Sequence, residues 1–124
     1  MCCNNCNRGP QGIQGVPGAC QTNVLYVLES SITPTDDELI YVPAIAECFI
    51  LFYAPTADIL VNLDNATEGK IFTIKNQHDS INDVIVNSTT YQIDGANVNI
   101  VLSAYEAVQL VFANGQWRII NKYL

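Results

Sequence analysis

Five cysteines are the residues of this chain with the widest choice of chemistry. Cys2, Cys3, Cys6 and Cys20 crowd the opening "MCCNNCNRGPQGIQGVPGAC", and Cys48 stands alone further on. An odd number leaves at least one sulfur for another chain or as a free thiol. Cys3-Asn4-Asn5-Cys6 has the two-residue spacing of a zinc knuckle, but no second pair matches it and the single histidine, His78, is remote. A redox C-x-x-C needs a βαβ setting that is missing here. Interchain disulfides through Cys2, Cys3, Cys6 and Cys20 are therefore the expectation. Metal ligation and free thiols stand as the competing readings, and no cofactor is expected. Cys48, inside "CFILFYA", reads either as a small core residue or as the acceptor for an arm cysteine of the next subunit.

Between these cysteines, Gly9, Gly12, Gly15 and Gly18 fall at every third position. Only glycine fits the crowded axis of three wound chains, so this is the collagen signature. Four glycines in register at one given start arise by chance about once in 40,000 at average glycine usage. Pro10 and Pro17 occupy two of the intervening positions and pre-set an extended backbone. Four triplets alone would scarcely hold, and a flexible linker is the plainer reading. Disulfides at either end would staple a short triple helix, each contributing about 2–4 kcal/mol. Residues 1–8 thus read as a Cys-rich connector, 9–20 as a short collagen-like stalk and 23–124 as a separate head.

The whole chain has 124 residues, 49% of them apolar and 14% charged, with a net charge of −7. An acidic chain with no basic cluster repels phosphate, which argues against nucleic acid and anionic membrane surfaces as partners. The longest apolar run, about residues 48–55, is too short to cross a bilayer, and no secretion signal is visible. Disulfides without a signal would suit a protein that meets oxidant after cell lysis, at the surface of a spore or virion.

The elements that must position these groups are short β-type runs separated by turn residues, about ten residues apart. "NVLYVL" (23–28), "ELIYV" (38–42), "CFILFYA" (48–54), "DILVNL" (58–63), "KIFTIKN" (70–76), "DVIVN" (83–87), "TYQI" (90–93), "VNIVL" (98–102), "AVQLVFA" (107–113) and "QWRIIN" (116–121) all read as strands. Asn114-Gly115 predicts a hairpin and Asp94-Gly95 another turn. Pro34 with Asp36 and Asp37 marks a loop, and "SAYEAV" (103–108) at most a helical turn. The expectation is an all-β jelly-roll sandwich of eight to ten strands. "ECFILFYA" is apolar on both strand faces and so needs cover on both, from the other sheet or from partner subunits.

"GKIFTIKN" (69–76), "YQIDG" (91–95) and "YEAVQLVFANGQWRII" (105–120) resemble the β-rich heads of collagen-like fibre proteins from phages, giant viruses and Bacillus-group spores. The resemblance covers about half the chain and implies a trimeric jelly-roll head on a fibre. Short cysteine-bearing N-terminal connectors are similar to those of endospore appendage subunits, which link one layer covalently to the next. The implied function is a self-assembling structural subunit of an extracellular fibre or appendage. Its partner is itself, as a homotrimer and then a head-to-tail filament, with an anchor or tip protein as a further candidate. Its place is the spore surface, with the virion surface as the alternative. The second reading is a trimeric receptor- or glycan-binding tip.

An enzyme is not expected. A single histidine makes a Ser-His-Asp arrangement improbable, and the arm's glycines precede no phosphate-binding helix. Asp36, Asp37 and Glu38, or Asp58 with Asp64, offer paired carboxylates for glycosidase or calcium chemistry, but loop carboxylates usually face water. Asn65-Ala66-Thr67 and Asn87-Ser88-Thr89 read as turn residues. Trp117, Tyr53, Tyr91 and Tyr105 can stack on sugars, though aromatics more often pack cores or interfaces.

Overall fold

A computed structural model describes residues 24–54, 56–78 and 81–123. Nine strands run through them: β1 (Leu25–Leu28), β2 (Leu39–Tyr41), β3 (Phe49–Tyr53), β4 (Ile59–Asn62), β5 (Ile71–Asn76), β6 (Val84–Asn87), β7 (Ile100–Leu102), β8 (Ala107–Ala113) and β9 (Gln116–Tyr123). The one helical element among the described residues is a 3-10 turn, Glu29–Ser31. No described helix is long and apolar enough to cross a membrane.

The strands form two mixed sheets, ordered β1-β3-β5-β8-β9 and β2-β4-β6-β7. Odd and even strands alternate between the sheets up to β6, so the chain winds around the core like a coil. Successive strands of one sheet are therefore parallel: β1 with β3, β3 with β5, β2 with β4 and β4 with β6. Parallel neighbours need a long crossover, usually a helix; here the crossover is a strand of the opposite sheet. From β6 onward the pairings are antiparallel. The all-β, two-sheet expectation stands, but the connectivity departs from a jelly roll, whose sheets are built from antiparallel Greek keys.

Alternation dictates the interior. Phe72 and Ile74 of β5 are buried while Ile71 and Thr73 face outward, and β3, β4 and β6 repeat that pattern. The inward side chains of both sheets meet in one core that includes Phe52, Ile59, Val61, Phe72, Val84, Leu110 and Trp117. Trp117 packs against Phe72 and Phe112, and its Nε1–H donates to the Leu63 carbonyl at 2.8 Å across the sandwich. Asn114 and Gly115, at φ of 53° and 78°, form the two-residue turn expected between β8 and β9. Asp94 and Gly95 also take left-handed backbone, closing a one-bridge hairpin between Ile93 and Ala96. The "TYQI" run forms no named strand: beyond that bridge it makes one parallel bridge, Ile93 to Trp117 of β9.

Candidate functional site: the outward sheet faces and Cys48

On its β1–β3 side the outer face of the five-stranded sheet is apolar where a lone domain would carry polar residues, whereas Thr73, Lys75 and Gln109 line the same face further across. Tyr26 and Leu28 of β1, Phe49 of β3 and Ile71 of β5 are exposed, with half-buried Leu51 and Tyr53 between them. Register makes this one surface, since Tyr26 lies beside Leu51 and Leu28 beside Tyr53. Tyr26 and Tyr53 stack with ring centroids 6.2 Å apart. The four-stranded sheet carries a second row on its outer face: Ile40, Leu60, Ile85 and Val101 are successive neighbours across β2, β4, β6 and β7. Contiguous exposed apolar surface of this kind marks an interaction site. "CFILFYA" is thus covered on one face by the core and left open on the other.

Cys48 sits immediately before β3, 5% exposed, in phase with the inward residues Ile50 and Phe52. It takes part in a disulfide whose partner lies outside the described residues. Beside it lies Lys70, whose side chain has no exposed surface. The Lys70 ammonium donates to the Glu47 carbonyl at 2.5 Å and to Cys48 Sγ at 3.1 Å, with its Nζ 4.5 Å from the centre of the Phe72 ring. Burial pushes the Lys70 ammonium down from its ordinary value, and the nearby Glu47 charge partly restores it. The Glu47 carboxylate is fixed by the Tyr41 hydroxyl, 2.9 and 3.0 Å from its two oxygens, and by the Ala44 N–H at 3.0 Å. Burial, then Glu47, pushes the Tyr41 phenol upward, so it stays neutral.

Lys70 is the residue of this candidate site that sequence reasoning missed. The signal was its phase: Phe72, Ile74 and Asn76 point inward, and one further step back along the same face reaches Lys70. Backbone pairing confirms the phase, because the Phe112 N–H of β8 donates to the Lys70 carbonyl at 2.8 Å.

The loop carboxylates tie the structure together instead of simply facing water. Asp64 accepts hydrogen bonds from the Ser88 and Thr89 hydroxyls and from the Thr89 and Thr90 N–H groups. Glu29 likewise accepts from the Thr56 hydroxyl and the Thr56 and Ala57 N–H groups, and Asp58 from the Asp83 N–H. Each joins one turn of the coil to the next. Asp58 and Asp64 lie beyond opposite ends of β4, roughly 20 Å apart at the rise of a strand, too far to share a glycosidic bond. Asp36 and Asp37 are exposed at the tip of the β1–β2 connection with left-handed backbone, closed by the Thr35–Glu38 bridge. No cluster of potential metal ligands occurs among the described residues.

Of the candidate aromatics, Trp117 is core, Tyr91 packs edge-on to Phe112, and Tyr53 and Tyr105 lie at the surface. Cys2, Cys3, Cys6, Cys20 and the glycines at 9, 12, 15 and 18 lie outside the described residues. Compared with models of known protein families and with curated protein sequences, the chain matches none.

Proposed function

We propose that this chain is a structural, self-assembling subunit of an extracellular fibre. Its β-rich head associates as a trimer and its N-terminal arm hooks onto the next trimer. The observation that carries the reading is the pair of apolar outer faces: a two-sheet domain needs a single core, and this one has apolar side chains left over on both sides. Burying each such side chain against a neighbour gains up to about 1.5–3 kcal/mol, which favours association over a solitary monomer. Three gathered heads would bring three arms together, where Gly9, Gly12, Gly15 and Gly18 can set a short triple-helical stalk. At ~3.1 Å per residue, residues 9–20 would span about 37 Å between heads. A head-to-tail contact of this kind does not close on itself, so it grows a filament. Disulfides through Cys2, Cys3, Cys6, Cys20 and Cys48 would then lock the filament, at a spore surface or, alternatively, a virion surface.

Negative-stain microscopy of purified full-length protein, with and without reductant, tests the reading alongside non-reducing electrophoresis. Filaments and covalent ladders are expected, and a chain lacking residues 1–20 should give soluble heads without filaments. Monomer alone under non-reducing conditions rejects the covalent fibre. Isolated trimers that bind glycan and never polymerise favour a receptor-binding tip instead.

A further inference from the structure

We propose that Cys48, when its disulfide opens, forms a thiolate–ammonium pair with Lys70 that makes Cys48 the head's site of disulfide exchange. The inference rests on the disulfide-linked fibre above and deepens it, naming the head sulfur that reacts and the residue that activates it. The geometry carries it. A buried ammonium is costly unless paired, and Lys70 Nζ touches a carbonyl at 2.5 Å, an aromatic ring and a sulfur at 3.1 Å. Of these three, only the sulfur can acquire a full negative charge. Cys48 is engaged in a disulfide, so opening that bond leaves its sulfur against the ammonium.

The other charged group at this place is Glu47, from the segment that leads into β3, with the neutral Tyr41 phenol of β2 holding its carboxylate. Glu47 opposes a thiolate through space. Lys70 is in direct contact with the sulfur, and Coulomb attraction falls with distance, so the ammonium dominates.

The reaction balances without an added oxidant. An arm thiolate from a neighbouring subunit attacks the sulfur bonded to Cys48. A new arm–arm S–S bond forms, the Cys48 S–S bond breaks, and Cys48 leaves as a thiolate against the Lys70 ammonium. A thiol of lowered pKa is the better leaving group, and in the reverse step the same Cys48 thiolate attacks the arm disulfide and rejoins the head. Misjoined subunits can therefore exchange before a filament is locked.

The test uses the full chain with Cys2, Cys3, Cys6 and Cys20 changed to serine, reduced, so that Cys48 is the sole thiol. Thiolate absorbance in the ultraviolet is followed against pH for this protein and for its Lys70→Met and Lys70→Arg forms, with the Cys48→Ser form as blank. The expected midpoint with Lys70 lies below the ordinary thiol value of about 8.5. The Lys70→Arg form keeps the positive charge and should keep the low midpoint, whereas Lys70→Met should raise it by about one pH unit or more. Exchange with a small aromatic disulfide at neutral pH should slow about tenfold in Lys70→Met. Equal midpoints with and without the charge overturn the proposal. So does a midpoint at or above about 8.5 in the chain that keeps Lys70, a readout that survives even if Lys70→Met fails to fold. Failure of the cysteine-complete chain to form filaments strikes the fibre reading and leaves this midpoint untouched.

Discussion

Replacing Leu28 and Phe49 by serine should dissolve the assembly while leaving the head folded. Both side chains lie on the outer face of the five-stranded sheet, Leu28 50% and Phe49 46% exposed, so folding has already buried about half of each. Full burial of such a side chain is worth about 1.5–3 kcal/mol, and the exposed half leaves about 1 kcal/mol for a neighbour to gain. Two side chains in each of three equivalent contacts then put about 6 kcal/mol at stake per trimer. At 1.4 kcal/mol per tenfold, the trimer–monomer equilibrium should move by about four orders of magnitude towards monomer. The fold also loses the buried halves, about 2 kcal/mol per head, and up to about 1 kcal/mol of strand preference at each position, so melting should fall but stay cooperative.

Sedimentation velocity under reducing conditions separates the two effects, since disulfides cannot then hold subunits together. The expected result is a trimer for the native chain, monomer at the same micromolar concentration for Leu28→Ser/Phe49→Ser, and cooperative melting of both. A parallel pair, Ile85→Ser/Val101→Ser, probes the row on the opposite sheet. If both double variants sediment like the native chain, the apolar faces are not the contacts and the reasoning fails.

Two further outcomes concern the head itself. Partial burial raises the Asp64 carboxyl, but hydrogen bonds from Ser88, Thr89 and Thr90 outweigh it and lower its pKa from 3.8 to about 2. A depressed folded-state pKa stabilises above the unfolded value and is lost as pH falls through about 4 towards 2. Because the carboxylate is largely open to water, the loss should be about 1 kcal/mol. Denaturant titrations should show this acid-dependent part vanish in Asp64→Asn, and an unchanged acid slope would contradict it. Trp117→Phe removes the donor to the Leu63 carbonyl and leaves a cavity beside Phe72 and Phe112, costing about 2–3 kcal/mol. For a head of this size thermal melting should drop by about 10–20 °C, and a shift under about 3 °C would remove Trp117 from its place in the core.

Strands were legible in this chain and their winding was not, for one physical reason. Alternation records which face of a strand is buried, and that record is the same for parallel and antiparallel neighbours. A ten-residue spacing fits a meander, and it equally fits half a turn of a two-sheet coil whose same-sheet strands begin at Leu25, Phe49 and Ile71. The distinguishing clue was in the turns. Asn114-Gly115 is the single two-residue turn that joins consecutive named strands, β8 and β9. Before it, every connection except the long one between β6 and β7 carries the chain over to the other sheet. The departure from a jelly roll follows from those longer crossings.

The same alternation rule shows why part of the site was readable and part was passed over. In "ECFILFYA" apolar residues occupy both phases, so the need for cover on two faces is written in the sequence. Cys48 belongs to the inward phase of that run with Ile50 and Phe52, and Lys70 to the inward phase of the next parallel strand with Phe72 and Ile74. Phase by itself places both inside, yet a lysine ahead of an apolar run looks like a solvated strand end. What brings its ammonium to the sulfur is the parallel stacking of β3 on β5, in which the Thr73 N–H donates to the Cys48 carbonyl at 2.7 Å. An antiparallel β3 would run the other way against β5 and set Cys48 at the far end from Lys70. The coil connectivity, which local sequence does not encode, is therefore also what creates the buried sulfur–ammonium contact, and the Cys48 titration examines a consequence of the winding itself.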